Sequence, residues 1–152
     1  MRRAIPVLVS LAWLGAWGCG SGPEQRLSRA DSVGVALLTF DETVFDTIGW
    51  TSGEEVLARG EVVFETSCAK CRGPEGRGDG GFVLNGVTLT PPSFLGADWR
   101  YANRPIRLRR QIFSGSVQGM PYWGLVGLQY RDIDAVSSYI LQVLRPRFEA
   151  GG

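Results

Sequence analysis

The chain has 152 residues, 44% of them hydrophobic and 20% charged, which suits one globular domain with a targeting segment and is too apolar for a disordered tail. Sixteen basic against fifteen acidic side chains leave a net charge of +1, so no bulk attraction to nucleic acid is implied and no nucleic-acid partner is expected. The histidine count is zero, which excludes imidazole acid–base chemistry and every histidine metal site.

Arg2 and Arg3 precede an apolar run from Ala4 to Trp17, shorter than the roughly 20 residues a membrane span needs. Residues 1–18 therefore read as a secretory signal peptide. Ala16 and Gly18 before Cys19 resemble a bacterial lipoprotein signal, which implies lipidation at Cys19 and anchoring on the periplasmic face of a bacterial membrane. Gly20 stands where some bacteria carry an inner-membrane retention aspartate, which leans the placement to the outer membrane. An extracytoplasmic compartment is oxidising.

Residues 19–50 read as a tether and N-terminal extension. Gly20-Ser21-Gly22-Pro23 is a flexible start. Between Val33 and Trp50 apolar residues are irregular, broken by Asp41, Glu42, Asp46 and Gly49, so this piece is expected to pack across the main domain. That domain spans residues 51–147, with 148–152 as a tail.

Ser52 followed by Glu55 is a capping box, and Val56, Leu57, Gly60, Val63 and Phe64 fall on one helical face, predicting a helix from about 53 to 66. A glycine on that face costs roughly 1 kcal/mol against alanine, so Gly60 predicts close approach of a second helix. Gly73, Pro74, Gly76, Gly78, Gly80 and Gly81 make an irregular loop. A further helix starts near Asn103 with Pro105 in its first turn and runs through Ile106, Leu108, Ile112 and Phe113 to Gly115. Ile133, Val136, Ser137, Ile140, Val143 and Leu144 line the last helix, which Pro146 stops. All the regular structure this pattern predicts is helical.

Charge is unevenly distributed. Residues 19–66 hold nine acids and three bases, whereas residues 67–152 hold six acids and eleven bases. Arg100, Arg104, Arg107, Arg109 and Arg110 crowd one stretch, readable as a solvated helix face or as a docking patch for an acidic redox partner protein.

Cys68-Ala69-Lys70-Cys71 at a helix end, followed by the glycine loop, resembles the haem-attachment stretch of class I cytochromes c. Gly119-Met120-Pro121-Tyr122-Trp123-Gly124 resembles that family's distal methionine loop, Gly60 and Phe64 match its first helix, and Tyr139-Ile140-Leu141 its last. The likeness covers about residues 50–147. It implies an all-α cytochrome c-like domain of three to five helices with long glycine-rich loops, the first and last helices crossing. It further implies haem c bound covalently through Cys68 and Cys71, Met120 as an axial iron ligand, and one-electron transfer without bond catalysis. Pro91-Pro92 would supply a carbonyl near the proximal side. Phe82, Leu84, Leu89, Phe94, Leu95, Trp99, Tyr101, Trp123 and Leu128 would form an apolar envelope.

The family's histidine after the second cysteine is replaced by Arg72. Arginine stays protonated and offers no lone pair, so it cannot take the fifth iron position. Lys70, Tyr101 and Tyr122 are other donors, none at the proximal place. The alternative expectation is a haem-free descendant with a Cys68–Cys71 disulfide, serving as a binding or structural subunit of a membrane redox assembly. A thioredoxin-like motif would need a βαβ context, and structural zinc would need four ligands.

Overall fold

The computed structural model describes residues 27–146. The expected signal peptide, the Cys19 lipidation site and the 148–152 tail lie outside the described residues.

The extension is more ordered than its hydrophobic pattern implies. Helix α1, Arg29–Thr39, starts at a reciprocal capping box: Ser28 Oγ accepts from the Asp31 N–H at 3.1 Å, and the Ser28 N–H donates back to Asp31 Oδ2 at 3.3 Å. Only Ser32 and Ala36 are buried on it, so its inward face is made of small residues that carry little hydrophobic signal. A 3₁₀ turn follows at Glu42–Thr47, capped by the Asp41 carboxylate. Phe40 and Phe45 then meet Phe113 and Tyr130 at ring separations of 5.1 to 6.3 Å, and the Trp50 indole N–H donates to Asp134 at 2.7 Å. These contacts join the segment to Phe113, Tyr130 and Asp134, far along the chain.

Helix α2, Gly53–Val63, passes through a π-turn at Phe64–Cys68 into the short helix α3, Ala69–Arg72. Ser52 Oγ caps the Glu55 N–H at 3.1 Å, but the Glu55 carboxylate turns to the Thr51 N–H and hydroxyl and to Arg131 instead of closing the box. Those Thr51 hydrogen bonds hold Glu55 below the usual carboxylate range.

After the glycine loop comes a small hairpin, β1 Val83–Leu84 paired antiparallel with β2 Val87–Thr88. Among the described residues the fold is mostly helical, in line with the expected all-α class, and this hairpin is the regular element outside helices that the pattern did not predict. The turn is Asn85-Gly86, with φ of 51° and 78°. Asparagine and glycine tolerate this left-handed geometry, and the pair is itself a hairpin signal.

Helix α4, Pro105–Ser114, begins with Arg104 rather than Asn103 at its cap, with Pro105 in the first turn. A single turn, α5, covers Trp123–Val126, and α6, Tyr130–Tyr139, continues through a π-turn at Ile140–Leu144. The early helix and α5 were not in the sequence pattern, which is why more helical pieces occur than expected.

Helices α2 and α6 pack most closely, as Gly60 foretold. A Cβ at Gly60 would run into the Ala135 carbonyl oxygen and lie 2.6 Å from Tyr139 Cβ. Arg59 bridges to Asp132 at 2.6 Å across the same interface. Phe64, Ile133, Val136 and Ile140 fill the core between these helices, and Leu108, Ile112 and Phe113 close it from α4. Among the described residues no helix is long and apolar enough to cross a membrane.

Candidate functional site

Cys68 closes the π-turn and caps the start of α3, Cys71 lies within α3 one helical turn on, and both are free thiols. Gly73, at φ 73°, ends the helix by donating its N–H to Ala69 O at 2.7 Å. The loop then folds back on the helix end, where the Gly78 N–H donates to Arg72 O at 2.8 Å and the Gly80 N–H to Cys71 O at 3.3 Å. A Cβ at Gly80 would sit 2.5 Å from Lys70 O, so the return path admits only glycine without displacement.

The two thiols differ in surroundings. Cys68 packs against the core, and burial pushes its thiol up to about 12, partly countered by the Arg72 cation. Cys71 opens instead on a cavity of about 180 Å³. Lys70, Phe82, Leu84, Gly119, Pro121 and Trp123 line that cavity with it, and Arg29 of α1 stands at its wall.

The methionine loop is tightly built. The Ser116 N–H donates to Met120 O at 3.0 Å and the Met120 N–H to Ser116 Oγ at 3.3 Å. Gln111 on α4 sends its amide to Gly115 O at 2.7 Å and to Met120 Sδ at 3.7 Å, while the Tyr101 hydroxyl donates to Gln111 Oε1 at 2.8 Å. Arg29 Nη1 reaches Met120 O at 3.4 Å from the extension. The loop flanking Met120 therefore shares a cavity wall with Cys71, although Met120 itself lies behind that wall.

On the opposite side Arg72 occupies the place that the resemblance assigns to an iron ligand. Its Nη1 donates to the Pro92 carbonyl at 2.5 Å, and its guanidinium lies 4.5 Å from the Phe94 ring centroid. The carbonyl expected from Pro91-Pro92 is thus present and is taken by an arginine. Desolvation lowers the Arg72 pKa, partly offset by Cys68, Cys71 and Tyr101, and the group remains a cation. Arg145 Nη1 donates to the Phe94 carbonyl, and its guanidinium lies 5.2 Å from the Trp99 ring, so two cations grip one aromatic pair.

The predicted envelope divides. Phe82, Leu84 and Trp123 line the cavity, whereas Phe94 and Trp99 are buried core on the Arg72 side. Leu89 packs on Gly119, and Leu95, Tyr101 and Leu128 pack against the core. Lys70 is held over the Phe82 ring at 4.8 Å, Tyr101 is committed to Gln111, and Tyr122 packs against the core. Of the five clustered arginines, Arg100, Arg104, Arg107 and Arg110 are exposed. Arg109 turns inward to Asp134 at 2.5 Å and over the Phe45 ring, so it leaves the predicted patch.

Sequence reasoning missed Gln111 and Arg29. Gln111 was traceable as a polar residue beside the apolar face of α4, whereas nothing in the sequence linked Arg29 to a loop so distant along the chain.

These side chains fit covalent attachment of a porphyrin: two free thiols one turn apart, one opening on an apolar cavity opposite a methionine loop. They do not fit proximal iron ligation, because Arg72 has no lone pair and the chain has no histidine. Among the described residues no three His, Cys, Asp or Glu side chains converge to hold a metal ion by themselves.

Comparison with known proteins agrees with the helical domain. The family model described as cytochrome c oxidase, cbb3-type, subunit III matches residues 55–140, from α2 to the end of α6. The cbb3-type cytochrome c oxidase subunit CcoP of Rubrivivax gelatinosus is 27% identical over 89 residues, which are 59% of this chain and 26% of that relative. The chain thus matches about a quarter of that relative's length. No solved structure matches. With more than half its length under the family model, and with the paired cysteines and methionine loop inside the matched span, the chain belongs to the family of cbb3-type cytochrome c oxidase subunit III.

Proposed function

We propose that the chain is an exported electron-transfer subunit of a membrane redox assembly, carrying haem c through thioethers at Cys68 and Cys71 with Met120 as an axial ligand. The observation that carries this reading is that Cys71 and the Gly119–Pro121 loop open on one and the same apolar cavity. When bound there, the haem supplies reversible one-electron chemistry. The chain's own residues do the rest. Cys68 and Cys71 fix the group, Phe82, Leu84 and Trp123 exclude water, and Gln111 orients the Met120 thioether. Arg72 ligates nothing, and Met120 is the axial donor that this reading uses. In this reading Cys19 carries the lipid that holds the domain at the periplasmic face of the membrane, with the outer membrane favoured, and the protein moves electrons without catalysing bond chemistry.

A pyridine haemochrome spectrum of the chain matured with a cytochrome c assembly system tests the reading, alongside Arg72→His. Covalent haem in the natural chain, without a six-coordinate histidine–methionine spectrum, is the expected result. Haem in the variant alone would refute it.

A second reading rests on the Arg72–Pro92 hydrogen bond and the Phe94 contact, which satisfy the proximal side with protein atoms. Here the domain is haem-free, Cys68 and Cys71 form a disulfide, and the fold serves as a binding or structural subunit. Intact-mass measurement separates the two, since a disulfide removes two hydrogens and haem adds roughly 600 mass units.

A further inference from the structure

Arg104 at the N-cap of α4 and Arg107 and Arg110 within it are spaced three apart, so they run along one stripe, and Arg100 precedes them on the approach. All four are exposed. None takes part in a salt bridge among the described residues, whose ion pairs engage Arg59, Arg77, Arg109 and Arg131.

This placement works against the helix itself. Like charges three or four apart repel, and cations in a first turn face the positive end of the helix dipole. Helices α1, α2 and α6 each place an acid in the first turn, and α4 has none there. Arg109, on the same helix, shows that an arginine on α4 can reach a carboxylate inward. Arg104, Arg107 and Arg110 thus form a row of cations with no ion-pair partner among the described residues.

Most exposed acids lie elsewhere, although Asp98 is exposed two residues before Arg100. Asp41, Glu42 and Asp46 sit on the 3₁₀ turn and its cap, and Glu54, Glu61 and Glu65 along α2 and its π-turn. Helix α6 packs against both α2 and α4, so the acid-bearing and arginine-bearing helices are separate elements.

We infer that the α4 stripe of Arg104, Arg107 and Arg110, with Arg100, is the docking face for an acidic protein surface. This deepens the electron-transfer reading and rests on it for its purpose, though not for its test. A protein face fits better than an anionic membrane. Surface-lying helices interleave cations with exposed apolar residues, and no large apolar residue between 100 and 114 is exposed. Guanidinium groups also pair bidentately with carboxylates in a fixed planar geometry. Position gives the stripe its use. Gln111 lies one turn beyond Arg107 on α4, and its amide contacts Met120 Sδ at 3.7 Å, so the stripe and the contact to the methionine share one helix.

The test is an NMR titration of the ¹⁵N-labelled full chain with poly-L-glutamate and, separately, with phosphatidylglycerol vesicles. The expected result is shifts confined to residues 100–111, including the Gln111 side-chain amide. Affinity for poly-L-glutamate should fall about tenfold or more in the R104Q/R107Q/R110Q triple variant and as salt is raised. Arg59→Gln serves as the control and should leave it unchanged. Shifts centred elsewhere, or an unchanged triple variant, would overturn the docking face. Tighter binding to vesicles than to poly-L-glutamate would overturn the choice of a protein partner. Because the titration needs no haem, its failure is distinct from failure of the haemochrome experiment.

Discussion

The two sides of the Cys68–Cys71 helix have been treated differently. On the methionine side, Met120 keeps an uncharged sulfur held by Gln111 and framed by the Ser116 hydrogen bonds. On the other side, a position that could have carried a metal donor carries Arg72, whose donors and ring face are spent on Pro92 and Phe94. One side preserves a ligand-capable atom in a built setting, and the other has become a cross-link between α3 and the segment that follows the hairpin. A family match reports the shared frame of both sides and is blind to this difference in chemistry.

Breaking the methionine side should have the larger effect. Gly115 ends α4 at φ 68°, and a Cβ there would lie 2.5 Å from both Met120 O and Pro121 O. Gly115→Val should cost about 3 kcal/mol or more, combining backbone strain with a clash against main-chain atoms. Urea unfolding would measure it. A loss below about 1 kcal/mol would mean that the loop yields easily and that Met120 is not held in place.

Arg72→Ala addresses the other side. Removing one charged hydrogen bond and one cation–π contact from a half-buried site should cost about 2 kcal/mol, read from the shift in urea midpoint at constant slope. An unchanged midpoint would show that the guanidinium does not support the fold. The proximal and distal sides would then differ only in ligand chemistry.

Much of this frame was legible in the residues. Gly60 on an apolar face announced the α2–α6 contact, and the spacing of Ile133, Val136 and Ile140 announced the buried side of α6. The cysteine pair and the methionine loop announced a shared site because each is a short local motif. What escaped was carried by polar atoms or small residues. Helix α1 buries Ser32 and Ala36, which leave no amphipathic trace, and Asn85-Gly86 sits between strands of two residues each. Arg109 could not be told from its neighbours in sequence, because its inward turn depends on Asp134 arriving from another helix. Long-range pairings such as Arg72 with Pro92 need a fold before they exist, although a carbonyl there was foreseeable.

Met120→Leu isolates function from stability on the methionine side. Leucine nearly matches methionine in volume, so the cost should stay below about 1.5 kcal/mol, and the Gln111 amide keeps Gly115 O as acceptor. If Met120 is the axial donor, the matured protein's absorption spectrum changes while its urea midpoint barely moves. A spectrum identical to that of the natural chain would remove Met120 from the site.

The smallest effect concerns the two thiols themselves. The ordinary thiol value is 9.0, and burial raises Cys68 to about 12 while Arg72 pulls the other way. In the haem-free, reduced chain, native Cys68 holds its proton when the unfolded chain would release it. Its contribution to stability is therefore complete below about pH 9 and is lost as pH rises towards 12. Cys68→Ala should flatten the alkaline part of the stability–pH curve. At pH 8, iodoacetamide should alkylate Cys71 through the cavity well before Cys68, because the thiolate is the reacting species and Cys68 is almost wholly protonated. Equal rates at the two positions would show that burial does not separate them, and the asymmetry between the core-facing and cavity-facing ends of this helix would be lost.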